Sequence, residues 1–198
     1  MDKKTESRLI LIFTVAYLIF FGLLAFVKKN YEFLFYTIML SSLIIIIVSY
    51  YKKLHLTFII LGGLSFLGFM HLAGGTIDIN GSRLYEFWFI PGILKYDNII
   101  HALSLFVVTF VAYSIVSPHL DLKTKYHPIL FSLLLVLTAM GIGAVNEILE
   151  LGAVIFFGAG EGVGDYFNNA VDLVFNLIGS IIAVFFIHPY HKRRIKNK

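Results

Sequence analysis

Polar side chains that can do chemistry stand at the ends of long apolar runs in this chain, paired at helical spacing. Asp97 and His101 are four residues apart, Glu147 and Glu150 are three apart with Asn146 beside them, and Asp172 and Asn176 are four apart. Spacings of three and four place both members of a pair on one helix face. His71 closes an earlier apolar run. Imidazole nitrogen with carboxylate oxygen suits zinc or another first-row divalent ion, and His71, Asp97, His101, Glu147 and Asp172 are the candidate ligands. Glu147, Glu150 and His101 are the candidate catalytic groups, one carboxylate serving as general base on water that attacks a phosphate or acyl linkage. Without a metal, acids this close raise one another's proton affinity and still form an acid/base pair. Arg83, Asn146, Asp165 and Asn176 complete the candidate polar pocket. The spacing does not match the His-Glu-x-x-His metalloprotease pattern.

The elements that must carry these groups are membrane spans. Hydrophobic residues make up 59% of the 198 and charged residues 14%, against roughly 45–50% and roughly 25% in soluble domains. The excess is gathered into runs long enough to cross a hydrocarbon core of about 30 Å. The composition predicts an all-α integral membrane protein, a single polytopic domain of six transmembrane helices at about 9–27, 31–50, 56–73, 98–117, 128–150 and 169–187. The first run resembles a signal peptide, but its length and the absence of a small-residue cleavage site predict a retained span. No cysteine is present, which excludes thiolate metal sites and thiol nucleophiles.

Between the third and fourth spans, 76–82 reads as a turn or short hairpin around Asp78, Asn80 and Gly81. Residues 83–95 interleave aromatic and aliphatic residues with Glu86 and Pro91, too short and interrupted to span, and read as an external interfacial segment or a lid. Gly158, Gly160, Gly162 and Gly164, with Glu161, form a Gly-rich turn before the last span. It lacks the Lys-Ser or Lys-Thr of a phosphate loop.

Lys and Arg flank the spans unequally. Alternating sides, twelve fall with the two termini, including Lys52, Lys53, Lys123, Lys125 and the basic tail, and four (Lys28, Lys29, Arg83 and Lys95) fall opposite. The positive-inside rule then predicts both termini in the cytoplasm, N-in and C-in. On that topology His71, His101, Glu147, Glu150, Asp172 and Asn176 converge at a similar depth in the outer leaflet. The net charge of +4 is accounted for by this loop bias, and no nucleic-acid partner is expected.

The order Gly81, Arg83, Leu84, Tyr85, then Asp97 with His101, Glu147 with Glu150, Gly164-Asp165, Asp172, Asn176 and Gly179 resembles the YjdF-type inner-membrane proteins. It is more loosely similar to the VanZ-like proteins, in which Asp and His open one span, acidic or amide residues close the next, and Asp, Asn and Gly open the last. The resemblance covers about 68–186 and implies a multi-pass protein of a bacterial or archaeal cytoplasmic membrane, without an established activity. Where the YjdF-type pattern tends to carry a further acid between Asp165 and Asp172, this chain has Asn168.

Three functional classes follow. The first is a metal-assisted hydrolase or transferase acting on a lipid-borne or envelope substrate that enters from the bilayer. The second is an ion or small-solute transporter, since intramembrane Asp, Glu and His also build proton and cation paths. Against it, the charged groups lie near one face and the chain lacks a convincing internal repeat. The third is a structural envelope factor whose polar cluster locks the helices together.

Overall fold

A computed structural model describes residues 3–50, 53–120, 127–159 and 164–196, without side chains at residues 3, 4 and 190–196. Lys52, Asp121, Lys123, Lys125, Gly160, Glu161, Gly162 and the basic side chains of the tail lie outside the described residues. The regular structure of the described residues is helical apart from two short hairpins. Among the described residues, six helices are long and apolar enough to cross a membrane. They are α1 (Lys3–Val27), α2 (Tyr31–Tyr50), α3 (Phe58–Thr76), α4 (Tyr96–Val116), α5 (Pro128–Phe157) and α6 (Tyr166–Lys196). A helix satisfies its own backbone, which is why long apolar runs take this form where water is excluded.

Local chemistry sets the helix ends. Asn30 opens α2, its Oδ1 accepting from Phe33 N–H (3.2 Å), while its Nδ2 donates to Gly75 O (3.2 Å) and ties the α1–α2 turn to α3. Thr57 caps α3 by accepting from Ile60 N–H. Pro128 sits in the first turn of α5, where its missing N–H costs nothing. Asp165 Oδ1 accepts from Asn168 N–H (3.0 Å) at the start of α6.

The bundle divides into two groups of three. In one, α1 packs on α2 and α3; in the other, α4 packs on α5 and α6; α3 meets α4, and α2 touches α5. The first group's core joins Tyr17, Phe21, Phe33, Tyr36 and Leu72. The second is packed by Ala112, Tyr113, Phe131, Leu135, Val184 and Ile187. Two glycines set the closest approaches. A Cβ on Gly75 would lie 1.6 Å from the Phe33 ring, and one on Gly179 would lie 1.9 Å from the Ala102 carbonyl oxygen. The second contact draws α6 against α4.

Both hairpins connect α3 to α4. The first pairs β1 (Asp78–Ile79) with β2 (Ser82–Arg83), and Asn80 and Gly81 both adopt positive φ (53° and 85°), as the two-residue turn that suits strand twist requires. A 3-10 turn, Leu84–Glu86, follows. The second hairpin pairs β3 (Trp88–Ile90) with β4 (Leu94–Lys95) around Pro91 and Gly92. The lid-or-interface segment is therefore two-part. Trp88, Phe89, Ile90 and Ile93 are exposed, whereas Tyr85 turns inward onto the bundle.

All the helices but α2 run past a bound expected from sequence, α1 starting at Lys3 and α4 at Tyr96. α5 continues through Phe157, so Glu147 and Glu150 lie within the helix rather than at its end. Leu151 to Phe157 are as helix-compatible as the run before them, and Gly158 stops the helix in a left-handed conformation. α3 extends to Thr76 and α6 starts at Tyr166. Glu147 with Glu150 and Asp172 with Asn176 accordingly sit about two turns inside their helices, whereas Asp97 stands in the first turn of α4.

Candidate metal centre

His101 is the hub. It is 8% exposed on α4, one turn from Asp97, whose Oδ1 lies 3.5 Å from His101 Nε2. The Gly179–Ala102 contact carries the α6 pair to the same ring: Asp172 Oδ1 lies 3.7 Å from Nε2, and Asn176 Oδ1 lies 3.3 Å from Nδ1. α5 closes the third side. Glu147 Oε1 stands 3.9 Å from Nδ1, and Glu150 Oε1 accepts from Asn146 Nδ2 at 2.7 Å. These residues form two overlapping ligand sets, Asp97 with His101 and Asp172, and His101 with Glu147 and Glu150. Within each set the ligand atoms lie within 4.8 Å of one another.

The first set is held from behind. Asn176 engages the Nδ1 edge of His101, which leaves Nε2 directed between Asp97 and Asp172. Asp172 Oδ2 accepts from Asn168 Nδ2 (2.8 Å), and Asn168 Oδ1 accepts from Lys95 Nζ (2.6 Å). Lys95 Nζ also stands 3.7 Å from Asp97 Oδ2. Each of the three ligands thus has an outer partner that fixes its orientation, the arrangement that metal-binding histidines and carboxylates use. The amide of Asn168 bridges an ammonium that only donates and a carboxylate that only accepts. An acid at that position would pair with Lys95 but repel Asp172.

The cluster is short of hydrogen bonds. Both Glu147 oxygens, Asp172 Oδ1 and Asn176 Nδ2 are buried without a hydrogen-bond partner. Each such atom costs about 1–3 kcal/mol when nothing engages it. Four carboxylates also outnumber the cations Lys95 and, when charged, His101. Buried excess acid of this kind binds protons or a cation.

The other candidate residues fall around this hub at different distances. His71 packs tilted against Phe33 and edge-on to Tyr36 and Tyr85, and its Nδ1 is engaged by the Tyr85 hydroxyl at 2.6 Å. It belongs to the same cavity, yet it stands outside both ligand sets. Burial pushes the Tyr85 phenol well above its ordinary value of 10.0, so the hydroxyl keeps its proton and shares one hydrogen bond with His71 Nδ1, its direction set by the imidazole tautomer. Arg83 leaves the cluster and pairs with Glu32 on α2 (2.8 Å). Asp165 serves as the cap of α6. Asn168 and Tyr36 escaped sequence reasoning as cavity residues, and Lys95 as the partner of Asn168 and Asp97; the unusual Asn168 was the one visible signal.

A cavity of about 500 Å³ separates the two helix groups. Its polar end is lined by His71, Asp97, His101, Glu150, Asp172 and Asn176, and Tyr36 and Tyr85 face them from the opposite wall. Glu147 is not part of that wall; it lies behind it, against His101. The structure therefore presents a polytopic helical protein with a buried His/Asp/Glu cluster able to chelate a metal ion, open to a cavity of ligand size.

Among proteins of known function and among solved structures, none matches the chain. A family described as predicted membrane protein, DUF2238, matches residues 8–193, nearly the whole length. The chain belongs to the DUF2238 family of membrane proteins.

Proposed function

We propose that this protein is a metal-assisted hydrolase or transferase of the cytoplasmic membrane, acting on a lipid-borne or envelope substrate at the outer leaflet. The observation that carries this reading is the orphaned Asp172 Oδ1, 1% exposed as a residue and aimed at the Nε2 edge of His101 beside Asp97. Three protein ligands with outer partners and an adjoining cavity describe a centre that keeps a position open for chemistry. Asp97, His101 and Asp172 would hold a divalent ion such as zinc, which would supply Lewis-acid polarisation of a phosphoryl or acyl oxygen. Glu150, on the cavity wall and oriented by Asn146, accepts the proton of the attacking water or hydroxyl. Glu147 faces the Nδ1 edge of His101 and raises the basicity of the neutral ring at Nε2.

The lysine and arginine bias supports N-in, C-in topology, which sets the hairpin end outside. The exposed Trp88, Phe89, Ile90 and Ile93 of the second hairpin suit an interfacial position. The order of motifs supports kinship with the YjdF-type proteins. A transport path is less well served: the apolar plug of Tyr113, Phe131, Leu135 and Ile187 fills α4, α5 and α6 on the far side of the cluster.

The test is turnover of lipid vesicles containing phosphatidic acid or phosphatidylglycerol by purified protein with and without Zn²⁺, with released phosphate and fatty acid followed by mass spectrometry. Metal-dependent product from the parent, and none from a folded, metal-loaded Glu150→Gln variant, is expected. Cation flux into proteoliposomes without product would move the assignment to a transporter.

A further inference from the structure

The cavity does not stop at the metal centre. Its α2 wall runs from Glu32 through Tyr36 and Met39 to Leu43 and Ile46, about 21 Å of helix at ~1.5 Å per residue. One leaflet of a hydrocarbon core is about 15 Å deep. The facing wall is apolar, with Leu64 and Leu67 on α3, Val108 on α4 and Ile142 and Val145 on α5. Several of these side chains also reach the outside of the bundle. Leu43 and Ile46 are 49% and 54% exposed, and Ile142 and Val145 are 43% and 54% exposed, so the cavity has a mouth between α2 and α5. At the hairpin end the seam is shut by the Phe35–Phe157 ring contact, 5.3 Å between centroids.

A slot polar at one end, apolar along its length and open sideways within an apolar helix surface fits an amphiphile. Size narrows the choice further. A helix of a second copy, about 10 Å across over the same length, would need roughly 1,600 Å³. A single hydrocarbon chain about 5 Å across, set by carbon contact distances near 4 Å, needs roughly 400 Å³, and the whole cavity, its polar end included, holds about 500 Å³.

We infer that the arm between α2 and α5 binds one hydrocarbon chain of a membrane lipid, placing the headgroup end of that lipid against Asp97, His101 and Asp172. This rests on the metal-centre reading for the role of the polar end, and it names the substrate class as a chain-bearing lipid admitted laterally. Met39, Leu43, Ile46 and Ile142 are the chain contacts, and Tyr36 marks the junction between arm and polar end.

The experiment reconstitutes the full chain in phosphatidylcholine vesicles containing phosphatidylglycerol with a photoreactive diazirine midway along one acyl chain, and maps the adducts by mass spectrometry. Adducts are expected on Met39, Leu43 and Leu67. Met39→Trp fills the arm and reduces them about tenfold, equivalent to ~1.4 kcal/mol of lost binding. Ile142→Trp, from the opposite wall, does the same. Ile38→Trp, 64% exposed and outside the cavity, leaves them unchanged. Adducts confined to outward residues such as Ile38 and Ile45, or cavity adducts that survive both filling variants, would overturn the inference. Metal content of the same samples separates the two readings. Loss of adducts with metal retained in Met39→Trp supports the chain site, whereas cavity adducts in a parent that carries no metal would refute the metal centre and leave the chain site standing.

Discussion

A Cβ built on Gly179 would lie 1.9 Å from the carbonyl oxygen of Ala102, so α6 and α4 meet backbone to backbone one residue past His101. That approach is what places Asp172 and Asn176 on opposite edges of one imidazole ring. Gly179→Ala is expected to push the helices apart at a cost of about 2 kcal/mol or more, typical of overpacking. The apparent Tm in detergent then falls by roughly 4–8 °C. Metal retention falls with it, because Asp172 moves with α6. A Tm and metal content equal to the parent's would show that the contact is slack.

The outer partners of the ligands give a sharper separation of roles. Asn176→Leu removes the group on Nδ1 of His101, and Asn168→Asp removes the amide that donates to Asp172. Each is expected to weaken metal affinity by about 10–100-fold without unfolding the protein, as loss of ligand-orienting partners does elsewhere. Competition with a fluorescent zinc chelator measures this. Equal affinities in parent and variants would mean that the amides only pack the helices.

Arg83 and Glu32 tie the first hairpin to α2. The Glu32 side chain is 8% exposed and that of Arg83 32%, so truncating the arginine leaves a buried carboxylate without its partner. Arg83→Met is expected to cost about 3 kcal/mol. The double variant Arg83→Met with Glu32→Gln recovers most of that loss, because the unpaired charge is gone. Thermal melts of the four proteins close the cycle, and additive losses would contradict the pairing.

Tyr85 carries a pH signature. Its folded value is raised above the ordinary 10.0 by burial, so the stability it contributes is whole below pH 10 and is lost as pH rises through the folded value. Tyr85→Phe leaves His71 Nδ1 unpaired, costing about 1–3 kcal/mol. The parent should exceed this variant in Tm by an unchanged margin from neutral pH to about pH 10, and the margin should shrink above that. A margin that already varies near neutral pH would assign the effect to another group.

The six spans were legible because apolar runs of membrane length have few alternatives. The chemistry of Asp97, His101, Glu147, Glu150, Asp172 and Asn176 was legible from helical spacing. Their depth was not, since Gly152 does not break the helix between Glu150 and Phe157 and the stop comes only at Gly158. Sequence order could not separate His71 from the hub either. What occupies its ring is Tyr85, fourteen residues on and delivered by the hairpins. Lys95 read as a loop charge, because its role depends on Asn168 in α6, brought near only by the packing of α6 on α4. Arg83 read as a member of the polar pocket. Glu32, buried at the start of α2, draws it to the other side.

The most direct test is elemental analysis of the detergent-purified parent beside a variant carrying Asp97→Asn and Asp172→Asn, each checked for folding by size-exclusion chromatography. The account predicts near-stoichiometric divalent metal in the parent, its loss from the folded variant, and lower retention as pH falls, because the ligands bind metal only when deprotonated. A parent that binds no divalent metal after reconstitution, or a folded variant that keeps the parent's full complement, would contradict it.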